Sequence, residues 1–105
     1  MASSEKLFTV YLMTHRPRGV FYFGVTSDLL SRVLQHRAGA YEGHSRKWRC
    51  RRLVWYETFP DADSAISFEK RLKRWRRAWK IAMVEKTNPD WCDLGPEIGA
   101  GEASV

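Results

Sequence analysis

The sequence predicts an α+β domain of the broad α/β class, a small three-stranded, mostly antiparallel sheet flanked by helices. Three observations lead there. Two aromatic and β-branched runs, residues 7–13 (LFTVYLM) and 20–25 (VFYFGV), are joined by a short segment, HRPRG, that holds the Pro and Gly of a turn. A third such run, residues 53–59 (LVWYETF), is stopped by Pro60. Segments with helical periodicity follow the second and third runs. At 105 residues the chain has room for one core and no second domain. The expected domain is 7–94, with 1–6 and 95–105 as flexible tails.

The first two runs read as a hairpin. Neither face is strongly polar, so helices should cover much of the sheet. Thr26 or Ser27 can cap the next helix by accepting an orphan backbone N–H, and Asp28 in the first turn complements its positive end. Leu29, Leu30, Val33 and Leu34 form its apolar sector, Arg32 and His36 share a neighbouring face four residues apart, and the helix should end before Gly39. Residues 40–52 (AYEGHSRKWRCRR) read as a cationic loop. Asp61 or Asp63 opens the second helix, with Ala65, Phe68, Leu72, Trp75 and Trp79 as its buried stripe. Glu69 lies about 40° from Ala65 on a helical wheel, at the stripe's edge. A turn near Arg76 and Arg77 splits this segment, and the later helix should run over 78–85. Asn88 and Pro89 end it, and Trp91 should fold back as an apolar lid. After Leu94 the sequence offers little to bury.

Charge is unevenly spread. Residues 1–85 hold 17 basic and 8 acidic side chains, near +9, and the remainder is net acidic. A body so basic favours a polyanionic partner. Cys50 and Cys92 form no CxxC pair, which argues against a disulfide framework or a zinc knuckle. No charged-then-apolar leader is visible and no apolar run approaches the roughly 18–20 residues that span a bilayer, so the expectation is a soluble, reducing, cytoplasmic setting without membrane contact.

Hydrolysing a phosphodiester requires a base for the nucleophile, cations for the phosphorane-like transition state and help for the leaving oxygen. Glu69 is the lone acid in a helical stretch crowded with Lys and Arg. It suits a hard divalent ion whose other ligands are water and phosphate, and equally an ordinary salt bridge. Tyr11 and Tyr22 are either strand tyrosines packed with hydroxyls at the rim or, where nearby cations or a metal-bound water stabilise the charged form, a useful base. Arg32 can grip a phosphate through its fork of donors or pair with Asp28 on the helix surface. His36 can donate to phosphate or relay a proton near neutrality. His44, Arg46, Lys47, Arg74 and Arg77 are candidate backbone contacts for a nucleic acid.

With these residues in view the chain resembles the GIY-YIG nucleases, specifically their small stand-alone bacterial members, over residues 7–94. Thr9-Val10-Tyr11 matches the first motif, Tyr22-Phe23-Gly24 the second, and VTSDLLSRVLQH the arginine-bearing helix. EKRLKRWRRAWK and NPDW are similar to segments of the stand-alone group. Thr9 stands where the name-giving glycine would be, and Phe23 where the isoleucine would be. The resemblance implies Tyr11 as general base, Tyr22 as a second active-site hydroxyl, Arg32 as phosphate clamp, Glu69 as ligand to Mg²⁺ or Mn²⁺, and His36 at a position the family also uses. It implies DNA cleavage that leaves a 5′ phosphate and a 3′ hydroxyl. No separate recognition domain is read in the chain, so binding through phosphates and shape, with weak sequence preference, is expected. The sequence does not decide among a junction, flap, nick, damaged duplex or RNA as the target, and a homodimer would make paired cuts easier to picture. Two other readings use the same residues: a nucleic-acid-binding module without turnover, and a protein-interaction module anchored by Trp48 or Trp91.

Overall fold

The computed structural model describes residues 7–39 and 50–101. Within them, β1 (Phe8–Thr14), β2 (Phe21–Thr26) and β3 (Arg52–Phe59) form an antiparallel sheet in the order β2-β1-β3. The helices are α1 (Leu29–Arg37), α2 (Ala62–Arg74) and α3 (Arg77–Thr87), and a 3₁₀ turn covers Gly95–Ile98. Among the described residues no helix is long and apolar enough to cross a membrane.

Strand alternation builds two apolar layers on the central strand. Val10 and Leu12 of β1 join Ala65 and Leu72 of α2, Val84 of α3 and Trp91 on one face. Tyr11 and Met13 join Val33 of α1, Cys50 and Leu53 on the other. The sheet therefore separates α1 from α2 and α3. The register of β3 shifts between Leu12 and Met13, whose partners are Trp55 and Leu53. That bulge turns the consecutive residues Val54 and Trp55 towards the same layer, which strict alternation forbids.

The cap of α1 differs from expectation. Asp28 is itself the N-cap and accepts from the Ser31 N–H, while Thr26 Oγ1 accepts from the Asp28 N–H. The break between α2 and α3 is where expected. Trp75 and Arg76 take extended ψ values of 150° and 148°, and α3 restarts with a new phase. Trp79 consequently leaves the buried stripe and is 54% exposed. Continuous 3.6-residue counting placed it inside, but an interrupted helix does not carry its phase across the break.

The Asn-Pro-Asp-Trp segment folds back as expected. The Asn88 amide donates to the Val54 and Cys92 carbonyls and its Oδ1 accepts from the Cys92 N–H, tying the end of α3 to β3. Trp91 adopts a left-handed φ of 56° and stacks on Phe21 with ring centroids 5.7 Å apart. Burying its ring is worth about 4–6 kcal/mol before ordering entropy is counted. The indole N–H donates to Glu85 Oε2 at 2.7 Å, which satisfies its one polar group.

Beyond Leu94 the chain has more to bury than expected. Gly95 is buried, and Ile98 and Ala100 pack against the Tyr11 layer. Arg37 holds this segment: its Nη2 donates to both carboxylate oxygens of Asp93, at 2.8 and 3.1 Å, and its Nη1 donates to the carbonyls of Ala100 and Gly101. A charge this sheltered needs such full pairing to be tolerated.

Candidate active site

The centre of the α1 face is a phenol–imidazole contact. Tyr11 sits mid-β1, opposite Gly24 of β2 and Tyr56 of β3. Tyr22, opposite Met13, is its diagonal neighbour on the same face, with ring centroids 6.4 Å apart. On α1, His36 lies three residues after buried Val33, which turns it inwards to 3% exposure. Its Nε2 is 3.0 Å from the Tyr11 hydroxyl, and its ring meets Tyr22 edge-on at 4.6 Å. Arg32, one turn earlier and partly exposed, acts electrostatically on the imidazole.

Burial, and then the charge of Arg32, pushes the His36 pKa down to about 4 from its ordinary 6.5. The imidazole is therefore neutral near pH 7. Between pH 6.5 and 4 the unfolded chain binds a proton that the folded one refuses, so stability falls as pH drops through that window. The full loss is on the order of 3 kcal/mol. Urea denaturation at pH 7.5 and 5 should show this decline, and His36→Asn should flatten it.

Gly24 makes room for Tyr11. A Cβ there would fall within 2.8 Å of Cε1, Cζ and the hydroxyl of the Tyr11 ring. The ring is 2% exposed and bonded to His36, so it cannot simply swing aside. Gly24→Ala should displace the hydroxyl from His36 and cost about 1–3 kcal/mol, measurable as a lower urea midpoint.

Glu69 sits elsewhere. It follows Ala65 by four residues and precedes Leu72 by three, both buried, so it is drawn to the inner side of α2 and is 9% exposed. Its Oε2 pairs with Lys73 Nζ at 2.7 Å. The structure thus brings Tyr11, Tyr22, Arg32 and His36 together on the α1 face and places Glu69 on the helix packed against the opposite one. Edge strand β2, which carries Tyr22 and Gly24, touches α2 as well.

Of the backbone-contact candidates, Arg74 is exposed in the basic last turn of α2. Arg77 is engaged in the fold: its Nη2 donates to the Arg18 and Gly19 carbonyls, and its guanidinium lies 4.4 Å from the Phe21 ring centroid. His44, Arg46, Lys47 and Trp48 lie outside the described residues. Among those described, no cluster of three His, Cys, Asp or Glu side chains could hold a metal. The Glu69 carboxylate, one of whose oxygens is paired with Lys73, is a hard donor that suits Mg²⁺ or Mn²⁺ completed by water and phosphate and does not suit zinc.

Sequence reasoning passed over Tyr56. It is the cross-strand partner of Tyr11, and its hydroxyl donates to Glu97. That hydrogen bond, then burial, pushes its phenol up to about 12. The bulge hid this face assignment, because strict alternation counted forward from Leu53 places Tyr56 on the other side.

A profile of the GIY-YIG catalytic domain matches residues 7–82. The chain is 32% identical over 84 residues to a UPF0213 protein of Cupriavidus pinatubonensis, covering 80% of this chain and 92% of that one. It is 31% identical over 91 residues to a UPF0213 protein of Lacticaseibacillus paracasei, covering 87% and 99%. The solution NMR structure of a UPF0213 protein from Bacillus halodurans superposes with a TM-score of 0.52 at 25% identity, over 84% of this chain and 93% of that one. The chain therefore belongs to the GIY-YIG family, whose catalytic domain implies nuclease chemistry.

Proposed function

We propose that this protein is a divalent-metal-dependent DNA endonuclease that selects substrates by shape and phosphate contacts. The observation that carries the reading is the Tyr11–His36 contact at 3.0 Å, held beside Tyr22 and Arg32 on one face of a basic domain. In this reading the phosphate lies along the β2 edge, between this group and Glu69, a placement supported by the contact of β2 with α2.

In this reading Tyr11 takes a proton from water as its own passes to His36 Nε2. Neutral His36 is ready to accept, and the negative phosphate offsets the penalty that burial and Arg32 place on the imidazolium. Tyr11 is 2% exposed, so the water involved is one admitted beside half-buried Tyr22, out of bulk solvent, where fixed charges act strongly. Arg32 neutralises the phosphate, and Tyr22 orients water or the leaving oxygen. Glu69 would hold Mg²⁺ or Mn²⁺, which when bound supplies further charge neutralisation at phosphorus. The cytoplasm is the setting this reading assigns, and a homodimer would place two such sites for paired cuts.

Incubation with branched, nicked, single-stranded and duplex DNA, and with matched RNA, tests it. Cleavage of at least one DNA form with Mg²⁺ or Mn²⁺, abolished by EDTA, is expected. Salt-sensitive binding with no turnover under any metal would favour the non-catalytic binding module. Turnover undiminished by EDTA would remove the metal from the account.

A further inference from the structure

The phase break that expels Trp79 also builds a groove. Trp75, Trp79, Ala82, Met83 and Lys86 line a depression of about 410 Å³, within the range of small-molecule pockets. Trp79, Ala82, Met83 and Lys86 follow one another at helical spacing along α3, and Trp75 closes the end at the break. The wall is pinned: Trp75 packs edge-on against Phe68 at 6.2 Å and against Trp79 at 6.2 Å. Trp79 stays half open to solvent, with the Arg76 guanidinium 5.6 Å from its ring centroid. None of the lining residues is acidic. The one acid of α3, Glu85, is engaged by Arg18 and the Trp91 indole. The last turn of α2, which precedes Trp75 in the chain, is basic as well, with Arg74 exposed and Lys73 paired with Glu69.

We propose that this groove docks an unstacked base of single-stranded nucleic acid, so that the preferred substrates carry a single-stranded flap or tail. Charge complementarity selects this occupant. A flat aromatic shelf offers a base its stacking surface, and flanking guanidinium and ammonium groups meet the neighbouring phosphates. The proposal rests on the nucleic-acid reading above, and its test is independent of turnover.

Fluorescence anisotropy in EDTA compares a blunt duplex, the same duplex with a single-stranded tail, and the tail alone, for wild type, Trp79→Ala and Trp79→Phe. Wild type should bind the tailed form several-fold more tightly than the blunt one. Trp79→Ala should lose about tenfold on the tailed form and on the tail alone, with blunt affinity unchanged, and Trp79→Phe should recover most of it. Because Trp79 is about half exposed and lies outside the buried core, circular dichroism melting of the variants should stay close to wild type. Equal affinities of wild type and Trp79→Ala for the tailed form would overturn the proposal, as would an equal loss on blunt and tailed DNA. Concentration-dependent self-association, lost in Trp79→Ala while nucleic-acid binding is unchanged, would assign the groove to a second copy instead. Binding to none of the probes would sink the nucleic-acid reading itself, whereas binding without the Trp79 increment sinks only this inference.

Discussion

Glu69→Gln should reduce metal-dependent cleavage by about a thousandfold or more, since the lost contribution amounts to several kcal/mol at the transition state. The substitution keeps the size of the side chain and leaves α2 intact. Its structural cost is the contact with Lys73, whose side chain is 56% exposed. The Glu69 side chain is only 11% exposed, so the pair is half sheltered, but neutral Gln leaves no unpaired charge inside and the fold should tolerate the change at a cost of about 1 kcal/mol. Lys73→Ala separates the two roles of the carboxylate. If Glu69 serves only as a salt-bridge partner, removing either member has the same small effect. If it binds a cation, Lys73→Ala keeps cleavage within a fewfold of wild type and lowers the Mg²⁺ concentration needed for half-maximal rate, because an ammonium no longer competes for Oε2.

Tyr11→Phe should lower the rate by about 10²–10⁴, the usual contribution of a positioned proton acceptor. The ring still fills the space above Gly24, so binding to DNA should persist. Stability should fall by about 1–3 kcal/mol, because the buried His36 Nε2 is left without the hydroxyl at 3.0 Å. Single-turnover cleavage alongside anisotropy distinguishes this from a folding defect. A variant that binds and cleaves like wild type would remove Tyr11 from the chemistry.

Much of the architecture could be read from local chemistry. The hairpin followed from two β-branched and aromatic runs around a Pro-Gly turn, and the end of β3 from Pro60. What local chemistry could not supply was phase across an interruption. The bulge at Val54 reversed which side of β3 Tyr56 faces, and the break at Trp75 and Arg76 turned Trp79 outwards. The tail after Leu94 read as polar and unanchored, because its anchor, Arg37, lies more than fifty residues upstream. For the same reason Arg77 read as a phosphate contact, although the turn carbonyls it serves belong to Arg18 and Gly19.

The candidate site divides similarly. His36 and Arg32 share a helix face at a spacing that sequence displays directly. That Tyr11 and Tyr22 share a sheet face depends on register, which places Tyr11 opposite Gly24. The layer occupied by Glu69 is a matter of topology, and no motif in α2 announces it.

Whether residues on the two faces of the sheet serve a single phosphate is best measured with Mn²⁺. Added to isotopically labelled Tyr11→Phe protein bound to a duplex, the paramagnetic ion broadens NMR signals near its site. Broadening around Glu69 together with the β2 edge at Tyr22 and Gly24, absent when Glu69→Gln is added, is the expected result. Broadening confined to other carboxylates, or unchanged by Glu69→Gln, would contradict the account.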